Sequence, residues 1–330
     1  MPALAIELSG NSHGRVLIHG ERTNLMNETK SVYANREARI RLTPKCNYRC
    51  FFCHEEGGCQ APVAEWESLK SLLLALKAQG RREITFTGGE PLLNKPVLLK
   101  ALAEIASWDE QPEVTVITNA ALLDEAVVMA LEKCRKAKVH VSIHDPRTGM
   151  YQLVTGQNRR SAEELKPILR RLSSGPVRLK LNAVLTAGFV EDDSSLAAML
   201  DYAREVGADT VKFVELLVTK DSSSWPMKGV PLEALNARFA DEGFSLFRQT
   251  IRTSYWRTPQ GLVLETTRCV CALGCEHCEA TRGDFFTGGT HYHPCFLSTE
   301  TISMAGRSLE DVLAEGEAYL RQFIIARKAA

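Results

Sequence analysis

The chain has 330 residues, of which 45% are hydrophobic and 24% are charged, as in an ordinary soluble globular protein. Forty basic residues balance forty acidic ones, and this neutrality argues against a protein that coats nucleic acid. No apolar run approaches the roughly eighteen residues of a membrane span, and the N-terminus lacks the features of a signal peptide. The sequence therefore predicts a cytoplasmic protein without a membrane or nucleic-acid partner.

The predicted elements begin with a short β-hairpin and continue as a βα repeat. Residues 3–8 and 15–19 flank a turn-rich tip and form the hairpin. Strands are predicted at residues 39–43, 83–87, 113–118, 139–143, 177–185 and 210–217. Helical patterns separate them at residues 65–79, 96–106, 124–134, 162–173 and 194–206. Six strands joined by helices indicate a parallel sheet with right-handed crossovers.

This repeat predicts an α/β fold, a partial (β/α)6 barrel of the TIM type, followed by a smaller C-terminal domain. Ligands of such barrels bind at the carboxyl ends of the strands. After the barrel, the pattern predicts a linker, two short strands and an amphipathic helix, at residues 221–229, 250–255, 261–265 and 308–327. We therefore divide the chain into an N-terminal extension, a barrel core and a C-terminal region, at residues 1–37, 38–220 and 221–330.

Ten cysteines need an explanation in a compartment where thiols stay reduced, and metal binding is the usual one. Nine of them lie in two groups, at residues 46–59 and 269–295. Cys134 stands alone near a predicted helix end and is interpreted as a buried apolar residue.

The first group follows the first barrel strand, where Cys46, Cys50 and Cys53 have CX3CX2C spacing. Three thiolates on one tight loop can bind three irons of a [4Fe–4S] cubane and leave the fourth iron open for an exogenous ligand. A structural zinc ion normally takes four protein ligands, and Cys59 could complete such a site. An iron–sulfur cluster is the leading interpretation and zinc is its alternative.

The second barrel strand ends in Gly88-Gly89-Glu90. Two glycines let the backbone approach a ligand closely, and a glutamate accepts hydrogen bonds from an ammonium group. Together with the CX3CX2C motif, this segment resembles the signature of the radical S-adenosylmethionine (SAM) superfamily.

That resemblance implies a fold, a cofactor pair and a chemistry. The open iron of the cluster on Cys46, Cys50 and Cys53 would bind SAM, and Phe52 would lie near the adenine. Gly88, Gly89 and Glu90 would hold the methionine end. One-electron reduction, from a donor such as flavodoxin or ferredoxin, would cleave SAM to a 5′-deoxyadenosyl radical that abstracts a substrate hydrogen.

Later segments resemble the MoaA family of GTP 3′,8-cyclases over about residues 38–220. They occur in the family's order, at residues 116–119, 141–144, 151–156, 180–184 and 212–217. The resemblance implies that Ser142 contacts SAM, and it places Leu217 where the family usually has a methionine at the SAM site. His144, beside this predicted site, is either functional or an ordinary loop histidine.

The substrate end departs from that family. The resemblance implies that Arg39, Lys180 and Arg282 contact the substrate. However, Thr85 stands where an arginine is expected, and Arg282 alone remains of an arginine-rich run. A triphosphate needs several cations to offset its desolvation, so these losses favour a substrate other than GTP.

The second group contains Cys275, Cys278 and Cys295, and the resemblance implies that they hold an auxiliary [4Fe–4S] cluster. Cys271 or Cys269 could serve as a fourth ligand, as in the SPASM and twitch domains of peptide-maturing relatives, and a fully ligated cluster could not bind substrate. Two alternatives are a structural zinc site, completed by one of these cysteines or a nearby histidine, and a second radical site.

These observations lead to one main hypothesis and three alternatives. The main hypothesis is a radical SAM enzyme that acts on a small polar, nucleotide-like or nucleoside-like substrate by cyclisation, C–C bond formation or rearrangement. The alternatives are a GTP 3′,8-cyclase, a peptide-modifying enzyme of the twitch type, and a zinc-binding interaction protein. Iron content separates the last from the others.

Overall fold

The computed structural model describes residues 33–53, 61–157, 160–186, 193–217, 228–275, 277–278, 283–295 and 300–329. The predicted hairpin at residues 3–19 lies outside these ranges, as do Cys59 and Arg282. Within them, no helix combines the length and the apolarity that a membrane crossing requires.

The predicted βα repeat is confirmed. Its strands are β1 (Ala38–Arg41), β2 (Glu83–Thr87), β3 (Glu113–Thr118), β4 (Ala137–Ser142), β5 (Arg178–Leu185) and β6 (Thr210–Glu215). Each strand pairs in parallel with its neighbour in sequence. The helices are α1 (Trp66–Ala78), α2 (Lys95–Ala106), α3 (Glu125–Glu132), α4 (Thr148–Thr155), α5 (Lys166–Ser173) and α6 (Asp193–Glu205). Short 3-10 turns at Pro91–Asn94 and Glu163–Leu165 precede α2 and α5. Helix α4 is additional to the helices predicted from sequence.

The C-terminal region extends this sheet at both ends. Its elements are α7 (Leu232–Asp241), β7 (Ser245–Gln249), β8 (Thr253–Arg257), β9 (Val263–Thr267), α8 (Val270–Leu273), β10 (Asp284–Thr287), β11 (His291–His293), β12 (Ile302–Ser303) and α9 (Leu309–Ala329). The strand order is β12-β11-β10-β1-β2-β3-β4-β5-β6-β9-β8-β7. Strand β9 is parallel to β6, and β10 is parallel to β1. Residues 268–283 therefore connect opposite ends of the six-strand repeat, and the domain division at residues 37 and 220 stays a prediction.

In β5, the two faces of the sheet differ in burial. In β5, Leu179, Leu181 and Leu185 are fully buried, whereas Lys180 and Asn182 alternate with them. A strand with one packed face shows this period of two, because successive side chains point to opposite sides. We call the side of Lys180 and Asn182 the inner face. It carries the polar residues described below.

A buried ion pair ties the C-terminal strands to the repeat. Arg81, just before β2, and Asp284, at the start of β10, have fully buried side chains whose charged atoms lie 2.6 Å apart. Tyr292 donates a hydrogen bond to Asp284 (3.2 Å), and Arg36 lies 3.6 Å from the same carboxylate. The sequence analysis did not predict this connection between distant segments.

Candidate active site

The first cysteine loop follows β1 at the carboxyl end of the parallel strands. Cys46, Cys50 and Cys53 are free thiols, and Cys46 and Cys53 are exposed. The backbone amide of Cys53 donates to the Cys50 carbonyl (3.0 Å) and closes a turn. The backbone amide of Tyr48 and the side chain of Asn119 donate to the Cys46 sulfur, at 3.3 and 3.9 Å. The Cys53 thiol also lies close enough to Cys46 and Cys50 to raise the pKa of both, so the loop presents the three thiols together.

Two glycines allow neighbouring segments to hold this loop. The Gly89 amide donates to the Thr43 carbonyl (2.8 Å), and an added Cβ at Gly89 would lie 2.3 Å from the Lys45 carbonyl oxygen. At Gly156, which ends α4 with φ +59°, an added Cβ would lie 2.4 Å from the Arg49 carbonyl oxygen. Only a residue without Cβ fits such close approaches of backbone to backbone. Besides any contact with a ligand, these glycines support the cysteine loop itself.

Glu90 joins the ends of two strands. Its side chain is 1% exposed, and its carboxylate accepts hydrogen bonds from the Leu92 amide (3.0 Å), the Thr118 hydroxyl (2.6 Å) and the Asn119 amide (2.7 Å). Burial raises the pKa of Glu90, while these three hydrogen bonds act in the opposite direction. The carboxylate thus positions Asn119 beside Cys46, and a direct contact with SAM stays a prediction.

The thiols of the first cysteine loop need a nearby positive charge in order to ionise. Burial raises the pKa of Cys50 to about 12, and the nearby Cys53 and Cys46 thiols add to this rise. Burial also raises the pKa of Cys46. Three neighbouring thiolates repel one another unless a positive charge balances them, and iron supplies that charge. Across the described ranges, no three His, Cys, Asp or Glu side chains surround a single-ion position. The fit to a [4Fe–4S] cluster therefore rests on the number and proximity of the thiols.

A cluster of aromatic and apolar side chains packs around Phe52 of the loop. Phe52 is largely buried and packs edge-to-face on Phe51 and on His144, with ring centroids 5.0 and 4.7 Å apart. Val154 and Leu216 complete the small apolar cluster around Phe52. The predicted SAM contacts Ser142, the last residue of β4, and Leu217, two residues beyond β6, are placed at the same end of the sheet.

His144 packs against this cluster. It is 7% exposed, and its Nδ1 accepts a hydrogen bond from the Val184 amide (3.1 Å). Burial lowers the pKa of His144 to about 4, so the ring is neutral near pH 7. Because Nδ1 is the acceptor, the ring proton is assigned to Nε2. Whether His144 is functional or an ordinary loop histidine stays a prediction, and its place against Phe52 makes both roles testable.

The second cysteine group lies around α8 and after β11. Cys269, Cys271, Cys275, Cys278 and Cys295 are half-buried free thiols. A hydrogen bond with Cys269 raises the pKa of Cys271, as do burial and the nearby Cys278 and Cys295 thiols. Cys295 therefore lies near cysteines that precede it by more than fifteen residues in the chain. The group contains enough thiols for a cluster with three or four cysteine ligands.

The inner face carries the described residues that the sequence predicts as substrate contacts. Lys180 forms an ion pair with Glu265 on β9 (2.7 Å), and Arg39 lies 3.6 Å from Glu37. Lys212 on β6 lies near these groups, and burial lowers its pKa to about 8. The sequence analysis did not identify Lys212 as a site residue. Lys212 alternates with the apolar Val211 and Phe213 in β6, and this alternation predicts that Lys212 lies on the opposite face of the strand.

Comparison with known proteins covers most of the chain. A family model described as the radical SAM superfamily matches residues 40–203. The chain is 27% identical over 281 residues to a probable GTP 3′,8-cyclase of Archaeoglobus fulgidus, covering 83% of this chain and 90% of that protein. It is 32% identical over 194 residues to a GTP 3′,8-cyclase of Pelotomaculum thermopropionicum, which is 57% of each chain.

Solved structures show the same fold. Streptococcus suis SuiB bound to S-adenosylmethionine superimposes with a TM-score of 0.67 at 17% identity, covering 88% of this chain and 69% of that one. Native anSMEcpe with bound AdoMet superimposes with a TM-score of 0.57 at 12% identity, covering 84% of this chain and 80% of that one. The predicted fold class is therefore confirmed.

Proposed function

This chain belongs to the radical SAM superfamily, and on that premise we propose that it cleaves SAM reductively and directs the resulting radical to a small, nucleotide-like substrate. The observation that carries the proposal is the loop that presents the thiols of Cys46, Cys50 and Cys53 together. The superfamily is one of enzymes, which argues against the zinc-binding interaction protein.

The chain's own residues have distinct tasks in this proposal. Cys46, Cys50 and Cys53 hold the first [4Fe–4S] cluster, which, when bound, supplies the electron for SAM cleavage. Glu90 and Gly89 keep the loop in place. Phe52 and His144 border the position of the adenosyl group, and the apolar side chains around Phe52 exclude water from it.

A second cluster is part of the proposal. Cys275, Cys278 and Cys295, with Cys271, are assigned to an auxiliary [4Fe–4S] cluster. The proximity of Cys271 to Cys278 and Cys295 supports four cysteine ligands. A cluster with four protein ligands has no open iron for substrate and serves structure or electron transfer instead. The reductant of the first cluster would be a small redox protein such as flavodoxin or ferredoxin.

GTP 3′,8-cyclase activity is the second candidate. The relatives of that name, which align along most of the chain, favour it. The charges of the inner face count against it, because Arg39 and Lys180 each lie beside a carboxylate. A triphosphate needs cations that are not already neutralised.

Anaerobic reconstitution followed by incubation with SAM and a strong reductant tests the proposal. We expect about eight irons per chain and 5′-deoxyadenosine detectable by mass spectrometry. The triple variant C46A/C50A/C53A should retain about four irons and lose all SAM cleavage, whereas C134A, which changes the isolated buried cysteine, should retain both. Zinc without iron, or no SAM cleavage by fully loaded protein, would refute the proposal. Cleavage stimulated by GTP and by no other nucleotide would establish the second candidate.

A further inference from the structure

The inner face holds a set of polar side chains on adjacent strands. His140 on β4 pairs in register with Lys180 on β5, and Asn182 pairs with Lys212 on β6. Lys212 in turn pairs with Glu265 on β9. Residues at the same register of a parallel sheet share a face, so these side chains line one surface.

Some cations of this set form ion pairs with carboxylates, and others do not. Lys180 is paired with Glu265, and Arg39, whose charge also reaches Lys212, lies beside Glu37. Lys212 forms no ion pair or hydrogen bond with the described part of the chain, although it is half-buried. Arg252, another charged neighbour of Lys212, makes no ion pair with a carboxylate within the same ranges, and its Nε donates to the Arg268 carbonyl (2.9 Å). The surface thus carries the positive charges of Lys212 and Arg252, neither of which forms an ion pair within the described ranges.

Two buried polar atoms on this surface lack partners among the described residues. They are His140 Nε2 and Asn182 Oδ1. Buried polar groups are nearly always hydrogen-bonded, so an orphan beside a cation indicates a place for a polar ligand. His140 is kept neutral by burial and by Lys180, Lys212, Lys138 and Arg39, which lower its pKa, and a neutral imidazole can donate from Nε2. A 180° rotation of the Asn182 amide likewise presents a donor at the orphan position.

We propose that Lys212, with Asn182 on the adjacent strand and His140 on the strand beyond it, binds a single oxyanion of the substrate, either a carboxylate or one phosphate group. The inference deepens the proposed function, because it places this group on the inner face of the same barrel. Lys212 supplies the charge, and the two orphaned atoms supply oriented hydrogen bonds. An oxyanion with one or two negative charges matches the uncompensated cations, whereas a triphosphate exceeds them.

The depressed pKa of Lys212 agrees with this assignment. Burial is its main cause, and Lys180, Arg252 and Arg39 lower the pKa further, while Glu265 raises it. A bound anion would stabilise the ammonium form, so binding and protonation of Lys212 reinforce each other.

Isothermal titration of the reconstituted, SAM-loaded protein with three probes tests the proposal. The probes are acetate, inorganic phosphate and tripolyphosphate, at constant ionic strength set with sodium chloride. We expect saturable one-site binding of acetate or of phosphate, which identifies the class of oxyanion. K212M should weaken it at least tenfold, and K212R should stay within threefold of the unmodified protein. The matched control is K138M, because Lys138 is already paired with Glu113 at 2.5 Å; it should bind as the unmodified protein does.

A second variant tests the charge argument. E265Q removes the carboxylate that neutralises Lys180, so tripolyphosphate affinity should rise at least tenfold. The proposal is wrong if K212M binds every probe normally, if none of the probes binds, or if the unmodified protein binds tripolyphosphate over a hundredfold tighter than phosphate. The same titrations on protein without iron or SAM separate the two proposals: anion binding that K212M weakens there supports this inference, whereas absent iron uptake or absent SAM cleavage contradicts only the proposed function.

Discussion

The two cysteine groups of this protein lie in regions that are built differently. The first group occupies a single loop after β1, held by hydrogen bonds and glycine contacts from strand ends and from α4. The second lies on a segment that connects β9 to β10, which belong to opposite ends of the six-strand repeat, and on residues after β11. Its geometry depends on how distant strands are joined to the sheet.

This difference indicates where each site is vulnerable. The first loop depends on close backbone contacts, so a small added volume should disturb it. The second group depends on the attachment of β10, so the loss of a buried charge should disturb it. Each region therefore has its own sensitive residue, and the variants below test whether the two sites can be disrupted separately.

The largest expected effect is on the attachment of β10. Asp284→Ala removes the partner of Arg81, whose side chain is fully buried, and leaves an uncompensated charge. We expect a loss of about 3–5 kcal/mol in the free energy of unfolding, measured in urea, together with loss of iron from the second group. Glu315→Ala breaks the exposed pair with Arg307 and should cost at most about 1 kcal/mol. Equal effects of the two variants would contradict the importance of the buried pair.

The next effect is on the first loop. Gly89→Ala places a Cβ against the Lys45 carbonyl, and the backbone must shift to admit it. We expect a loss of about 1–3 kcal/mol in the free energy of unfolding and the loss of about four irons, with the second cluster retained. Gly149→Ala in α4 meets nothing within 4 Å and is the matched control, with unchanged or slightly higher stability. Full iron content in Gly89→Ala would show that the loop does not require this contact.

The smallest effect compares one histidine from each region. Burial lowers the pKa of both His144 and His293 to about 4, against an ordinary value near 6.5. Between pH 6.5 and pH 4, both histidines are mostly protonated in the unfolded chain and mostly neutral in the folded chain. Stability therefore declines towards pH 4 by about 1.4 kcal/mol per pH unit for each such histidine.

Two asparagine variants separate these contributions. His144→Asn retains an acceptor for the Val184 amide but removes the titration and the Nε2 donor. Thermal unfolding between pH 7 and pH 5.5 should show a shallower decline for His144→Asn and for His293→Asn. SAM binding near pH 7 should weaken severalfold in His144→Asn alone. Unchanged SAM affinity in that variant would assign His144 a purely structural role.

Much of the fold followed from local patterns. The six parallel strands matched their predicted positions closely because strand and helix periods alternate regularly in that part of the sequence. Helix α4 was not predicted as an element, since residues 148–155 entered only as part of a motif. Helix α7 was also missed. Strands β7, β10, β11 and β12 were missed because segments of two to five residues carry too little periodicity to be recognised.

The sequence by itself determined the superfamily and predicted the first cysteine site, because the three cysteines of the motif lie within eight consecutive residues, 46–53. Only the tertiary structure decided how Glu90 is used, which inner-face cations are neutralised, and how β9 and β10 extend opposite ends of one sheet. These features depend on pairings between residues far apart in the chain, such as Lys180 with Glu265 and Arg81 with Asp284. Local patterns do not specify such pairings, since each partner is an ordinary charged residue until the fold brings the two together.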